Sequence, residues 1–120
     1  MKKILIVEDE QDYVNVMTQL LEPEGYKIAA AGTVKEALNL LEMFTPDLLI
    51  VDWNLPDKTG LDLVRELRAH KKFKKVRVVM NTIRDAENDQ LAAYMEDVDF
   101  YFTKPIKPEI FLGKIKKLLE

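Results

Sequence analysis

Short apolar runs alternate with amphipathic segments about five times along this chain, and the alternation restricts the fold more than any other feature. The apolar runs favour strands at residues 3–7, 26–31, 47–51, 76–80 and 100–103. Strands that alternate with helices at this spacing build βαβ units, whose strands are parallel. We therefore expect an α/β fold with a five-stranded, doubly wound parallel sheet.

Capping and stop signals mark the helices between these strands. Gly25 and the proline before it end the first helix, and Thr33 with Glu36 forms a T-x-x-E capping box before the second. Residues 85–95 predict a polar, weakly amphipathic fourth helix, and Pro108 begins the last one. The apolar stripe of the first helix contains Val14, Met17, Leu20 and Leu21. That of the third helix contains Leu63, Val64 and Leu67.

The composition excludes several classes of protein. The 120 residues, 48% of them hydrophobic, suffice for one domain with its own core, and we expect residues 1–120 to form it. The absence of cysteine excludes disulfides and thiolate sites, and the single histidine makes a Ser-His-Asp triad improbable. No apolar run approaches the ~20 residues of a membrane span, and the N-terminus lacks a signal-peptide pattern. We expect a cytoplasmic protein that contacts no membrane and, with a net charge of -3, no nucleic acid directly.

Reactive side chains follow four of the five predicted strands. Glu8 and Asp9 follow the first strand, Asp52 the third, Thr82 the fourth and Lys104 the fifth. Sites in open parallel sheets form beyond the carboxyl ends of the strands, so these groups are expected at one edge. If the first and third strands are neighbours, three carboxylates meet in one pocket.

Three adjacent carboxylates repel one another, which raises at least one pKa, and a divalent cation relieves that repulsion. Only oxygen ligands are offered, so Mg²⁺ is the expected ion, with Mn²⁺ as an alternative. Such an ion binds phosphate oxygens in turn, while Lys104 balances the same negative charge. The pattern predicts a phosphoryl-transfer pocket in which Asp52 is the nucleophile and forms an acyl phosphate.

These residues belong to five spaced motifs that resemble the receiver domain of bacterial two-component response regulators, over essentially the whole chain. The motifs are Lys-Ile-Leu-Ile-Val-Glu-Asp-Glu at 3–10, Gly-Tyr-x-x-x-x-Ala-x-x-x-x-Glu-Ala-Leu at 25–38, Pro-Asp-Leu-Leu-Ile-Val-Asp-Trp-Asn-Leu-Pro at 46–56 with Gly60, Met80-x-Thr82, and Lys104-Pro105. In style the sequence is closest to single-domain chemotaxis-type receivers. The resemblance implies a flavodoxin-like sheet of strand order 2-1-3-4-5.

The resemblance also implies a metal site and a phospho-acceptor. Asp52 is similar to the phospho-acceptor, and it also faces the metal. Asp9 is similar to the direct Mg²⁺ ligand, Glu8 to the acid that acts through water, and Asn54 to the residue that ligates through its main-chain carbonyl. Lys104 is similar to the lysine that pairs with the phosphoryl group, and a cis bond to Pro105 is expected.

A switch is implied as well. Thr82 is similar to the hydroxyl that bonds the phosphoryl group, and Tyr101 to the aromatic residue that turns inward with it. The donor is then a sensor histidine kinase or a histidine phosphotransfer protein, and the face made by the fourth helix, fifth strand and fifth helix controls an effector. The protein is expected to catalyse only its own phosphorylation and slow dephosphorylation, as a monomer that can dimerise when phosphorylated.

Some positions depart from the family pattern. Ile83 stands where small residues are usual, so we expect it to crowd the phosphoryl group and slow both phosphorylation and dephosphorylation. Asn54 and Arg84 are further positions expected to modulate access. Asp97 and Val98 replace the common Gly-Ala, which predicts a different turn before the fifth strand.

Three other functions fit parts of the pattern. A phosphatase of the haloacid-dehalogenase type needs a second acid at position 54, where this chain has Asn54. An FMN carrier on the same sheet needs a phosphate-binding loop after the first strand, where acids 8–10 repel phosphate. A receiver that binds partners without phosphorylation is disfavoured by the intact acids, Thr82 and Lys104.

A basic segment in the middle of the chain is expected to be a solvated surface rather than a nucleic-acid site. It contains Arg65, Arg68, Lys71, Lys72, Lys74, Lys75 and Arg77. The segment leads into the fourth strand, so it lies at the sheet end opposite the carboxylates. His70 lies within it and is expected at the surface.

Overall fold

The computed structural model describes residues 1–84 and 87–120, except for the side chain of Met95. Its strands are β1 (Lys3–Val7), β2 (Lys27–Ala31), β3 (Leu48–Val51), β4 (Arg77–Thr82) and β5 (Phe100–Thr103). Its α-helices are α1 (Gln11–Leu21), α2 (Val34–Met43), α3 (Gly60–Ala69), α4 (Glu87–Met95) and α5 (Pro108–Leu118). Short 3₁₀ turns span Glu22–Glu24 and Lys71–Phe73. The first two residues of the predicted fourth helix, 85 and 86, lie outside the described residues.

The sheet is parallel with the order β2-β1-β3-β4-β5, which confirms the expected fold. Alternate residues of each inner strand enter cores on opposite faces. Leu5 and Val7 pack with α2, α3 and part of α4, whereas Ile4 and Ile6 pack with α1 and α5. A strand covered on both faces needs the unbroken apolar runs seen in the sequence.

Strand β4 extends two residues beyond its predicted end. Asn81 and Thr82 pair with Phe102 and Thr103 of β5, so ladder pairing continues through polar residues that the hydrophobic pattern excluded. The difference matters for function, because it places Thr82 at the carboxyl edge of the sheet as part of a strand.

The predicted capping box of α2 is only half correct. The Thr33 hydroxyl accepts from the Glu36 amide at 3.0 Å, but the Glu36 carboxylate accepts from Gly32 at 3.1 Å instead of from Thr33. Asp57, in the β3–α3 loop, caps the first two amides of α2 at 3.0 Å each. Hydrogen bonds to those amides lower the pKa of Asp57. Helix α3 has a complete capping box, formed by Thr59 and Asp62.

The turn between α4 and β5 differs from a glycine turn in its residue and not in its backbone, so the prediction of a different turn is not confirmed. Asp97 adopts a left-handed conformation with φ 62°. Its amide donates to the Tyr94 carbonyl at 3.1 Å, and the Val98 amide donates to Ala93 at 3.3 Å. These two bonds define a Schellman motif, in which Asp97 occupies the position that glycine prefers.

The basic segment is not wholly solvated. Arg68 keeps only 15% of its side chain exposed and donates to the Phe73, Lys74 and Val76 carbonyls at 3.3, 3.3 and 2.7 Å. It also donates to the Asp97 carbonyl at 2.8 Å. The lysines of the segment and His70 are exposed. Among the described residues, no helix is long and apolar enough to cross a bilayer.

Candidate functional site

Sheet pairing brings the predicted acids together. Val7 and Val51 are partners in the β1–β3 ladder, so Glu8 and Asp52 leave the sheet side by side. The Asp52 amide donates to the Val7 carbonyl at 3.0 Å and extends that pairing by one residue. Both acids are buried, with 3% of Glu8 and 6% of Asp52 exposed, whereas Asp9 is exposed at the rim.

Lys104 reaches this pair from the end of β5. Its amide donates to the Thr82 carbonyl at 2.8 Å, which fixes the backbone beside β4. Its ammonium lies 2.7 Å from Glu8 Oε1 and 2.9 Å from Asp52 Oδ2, and only 2% of the lysine side chain is exposed. The Lys104–Pro105 peptide bond is cis, the isomer that the resemblance implies.

Burial sets the protonation of these groups. Desolvation raises the pKa of Glu8 to about 7, with the Asp52 charge acting in the same direction and the Lys104 ammonium opposing both. Desolvation by itself lowers the pKa of Lys104, but hydrogen bonds to Glu8 and Asp52 outweigh it and raise that pKa overall. The ammonium therefore stays charged between two acids, one of which holds its proton unusually strongly.

The donor set fits a divalent cation of the magnesium type. Glu8, Asp9 and Asp52 each offer a carboxylate oxygen, and these oxygens lie within 4.8 Å of one another. Oxygen ligands alone suit Mg²⁺ or Mn²⁺. Asn54 is exposed beside this cluster, and its backbone N–H donates to Asp52 Oδ1 at 3.3 Å.

The loop after β3 is closed tightly over Asp52. The Gly60 amide donates to the Trp53 carbonyl at 2.7 Å, and Asn54 forms an isolated bridge with Thr59. A Cβ on Gly60 would lie 2.0 Å from the Asp52 carbonyl oxygen, so no side chain fits there. Gly60 thus lets the start of α3 approach the backbone at Asp52, directly after β3.

The backbone of Arg84 connects the two predicted switch residues. Thr82 is fully buried, and its hydroxyl accepts from the Arg84 amide at 3.4 Å. Tyr101 is buried with 7% exposed, and its hydroxyl donates to the Arg84 carbonyl. The tyrosine thus already lies in an inward position.

The Arg84 side chain lies next to the loop that follows β3. Its guanidinium is 4.8 Å from the centre of the Trp53 ring and pairs with Asp89 of α4 at 3.2 Å. Ile83 is 68% exposed and does not enter the pocket. The predicted crowding by Ile83 could therefore act only at the mouth of the site.

Sequence reasoning missed one side chain at the site. Tyr13, on α1, places its ring centre 4.0 Å from the Lys104 ammonium. The available signal was its position four residues before Met17, which puts both on the face of α1 that packs on the sheet.

The fold and the buried acid–lysine cluster define a class of protein. Residues 4–116 match the response regulator receiver domain family, and the chain belongs to this family. It is a response regulator receiver domain of a two-component phosphorelay, a family whose members are generally not classical enzymes.

The chain resembles both long and short members of this class. It is 31% identical over 118 residues to the phosphate regulon transcriptional regulatory protein PhoB of Escherichia coli, a match covering 98% of the chain and 52% of PhoB. The chain thus spans about half the length of that relative. It is 34% identical to the chemotaxis protein CheY of Pseudomonas aeruginosa, with 98% of the chain and 96% of CheY covered. A two-component response regulator from Clostridium difficile superposes with a TM-score of 0.93 at 27% identity, covering 99% of this chain and 96% of that one.

Proposed function

We propose that Asp52 accepts a phosphoryl group from the phosphohistidine of a sensor kinase or a phosphotransfer protein. The observation that carries the proposal is the buried Lys104 ammonium, held between Glu8 at 2.7 Å and Asp52 at 2.9 Å. An ammonium in that position can neutralise charge on an acceptor carboxylate and on the phosphoryl group that joins it.

The transfer is an in-line displacement. An Asp52 oxygen forms the new bond to phosphorus, and the bond from phosphorus to the histidine nitrogen of the donor breaks, leaving the electron pair on the imidazole. Lys104 stabilises the charge on the phosphoryl oxygens, and Thr82 offers its hydroxyl to one of them. Glu8, Asp9, Asp52 and the carbonyl of Asn54 would hold Mg²⁺, which supplies positive charge when bound.

The acyl phosphate is proposed to act on an output surface. Thr82 and Tyr101 both bond the backbone of Arg84, whose side chain pairs with Asp89 of α4, so a shift of the hydroxyl toward a phosphoryl group would be transmitted to β5 and α4. The face formed by α4, β5 and α5 would then bind an effector. The positions that set access to the aspartyl phosphate are proposed to be Asn54, Ile83 and Arg84.

The wider setting is proposed from the family and not from the site. Residues 1–120 would act as one receiver domain in the cytoplasm, catalysing only its own phosphorylation and slow dephosphorylation. Its partners would be proteins rather than nucleic acid or membrane, and it would be a monomer that can dimerise when phosphorylated.

Intact mass tests the proposal directly. The protein is incubated with a small acyl phosphate, with and without Mg²⁺, alongside Asp52→Asn. A matched control is Asp57→Asn, which changes the same charge five residues along the same loop. The proposal expects one added phosphoryl group that requires Mg²⁺ and Asp52 and persists in Asp57→Asn. Unlabelled wild type, under conditions that label another receiver, would point to a module that binds partners without phosphorylation.

A further inference from the structure

We propose that Tyr13 is a positioning residue for Lys104, holding its ammonium over the acceptor site through the face of its ring. The inference rests on the proposed phosphorylation of Asp52 and adds a residue that the acidic pocket does not itself require. Its basis is the 4.0 Å distance from the ammonium to the ring centre.

The ammonium has three donor directions and three partners. The nitrogen lies within hydrogen-bond distance of Glu8 and Asp52, and it also lies over the ring of Tyr13. Because 2% of the lysine side chain is exposed, a cation–ring contact here is little weakened by water. Elsewhere in the described residues, other cation–ring pairs are separated by 4.4 to 5.8 Å.

The position of the ring follows from the chain path. Tyr13 lies in the first turn of α1, and its amide donates to the Glu10 carbonyl at 3.1 Å. One turn later Met17, which is 1% exposed, seats the same face of α1 in the core. The segment that supplies Glu8 and Asp9 therefore also fixes where the ring lies.

The ring differs from the two acids because, among the described residues, Lys104 is the cation paired with it. Under the proposed function, Glu8 is engaged by the cation, and an Asp52 oxygen becomes bonded to phosphorus. Lys104 then loses both carboxylates as simple ion-pair partners, while the ring of Tyr13 remains.

The test compares Tyr13→Leu with Tyr13→Phe, since phenylalanine keeps the ring and loses only the hydroxyl. One readout is the rate of phosphorylation by a small acyl phosphate with Mg²⁺. The other is the NMR resonance of the Lys104 ammonium, whose protons are shielded above a ring and which needs no phosphorylation. Phe100→Leu is the matched control, because it removes a ring 4.4 Å from Lys114, on α5.

We expect Tyr13→Leu to slow phosphorylation on the order of tenfold and to move the Lys104 resonance downfield. Tyr13→Phe should stay near wild type in both, and Phe100→Leu should leave the Lys104 resonance in place. A Leu variant that reacts at the wild-type rate with an unmoved resonance overturns the inference. If wild type gains no phosphoryl group, the proposed function and the role of Tyr13 in phosphoryl transfer are both overturned. The Lys104 resonance still decides whether the ring of Tyr13 holds the ammonium.

Discussion

Magnesium binding by this domain should strengthen as the pH rises through 7, because Glu8 must lose a proton before it can face a cation. Burial raises its pKa to about 7. About one molecule in ten then has an ionised Glu8 at pH 6 and about nine in ten at pH 8, so the apparent dissociation constant should fall roughly tenfold between them. The fluorescence of Trp53, the one tryptophan of the chain and the neighbour of Asp52, follows the titration.

The same proton affects the stability of the metal-free domain with the opposite dependence on pH. A carboxyl whose folded pKa is raised from 4.5 to about 7 stabilises the fold fully below pH 4.5. That contribution, up to about 3 kcal/mol, is lost as the pH rises from 4.5 through 7. Urea unfolding in a chelating agent, at intervals across this range, measures it.

Glu8→Gln provides the control for both measurements. It cannot titrate, so its Mg²⁺ affinity should be weaker and level between pH 6 and 8. Its stability should also lack the decline that wild type shows between pH 4.5 and 7. Parallel pH profiles for wild type and Glu8→Gln would refute the reasoning, because the dependence would then come from other groups.

Four further substitutions have predictable effects. Asp97→Gly should raise the free energy of unfolding by about 1 kcal/mol, because it relieves a left-handed non-glycine residue; an unchanged urea midpoint would contradict this. Asn81→Val should raise it by about 1–2 kcal/mol, since the buried Asn81 Oδ1 has no hydrogen-bond partner among the described residues, and a lower melting temperature would argue against that account. Gly60→Ala should lower it by roughly 3 kcal/mol, because its Cβ would collide with the Asp52 carbonyl, and near wild-type unfolding would show that the loop yields freely. Ile83→Ala should speed both phosphorylation and dephosphorylation. If the variant and wild type gain and lose the phosphoryl group at the same rates, the exposed isoleucine does not limit access.

The main features of the site could be predicted from sequence because parallel topology leaves little freedom. Every strand of such a sheet ends at the same edge, so residues that follow β1, β3 and β5 meet whatever the details of the helices. The same topology predicts that Glu8, Asp52 and Lys104 lie together, and the structure has them in contact. The prediction that β4 ends at Met80 was wrong, because the hydrophobic pattern cannot show that Asn81 and Thr82 still pair with β5.

Contacts between loops could not be predicted in the same way. Asp57 caps α2 across more than twenty residues of chain, and Arg68 bonds the backbone of two separate segments. Both contacts depend on loop conformation, which periodicity does not encode. The ring of Tyr13 over Lys104 was missed for a related reason, because a tyrosine near a helix start usually reads as part of the core stripe.

The C-terminal end of α4 is pinned, and this limits how the helix can move. The Schellman motif at Asp97 and the bond from Arg68 to its carbonyl, at 2.8 Å, join that end to the rest of the domain. A helix held at its C-terminal end moves mainly by rotating about that end. Because α4 has nine residues and is about 13 Å long, a swing of about 10° would carry Glu87 through about 2 Å while Asp97 stays still. An effector that detects this displacement should contact α4 near Glu87, at the end of the helix close to Arg84.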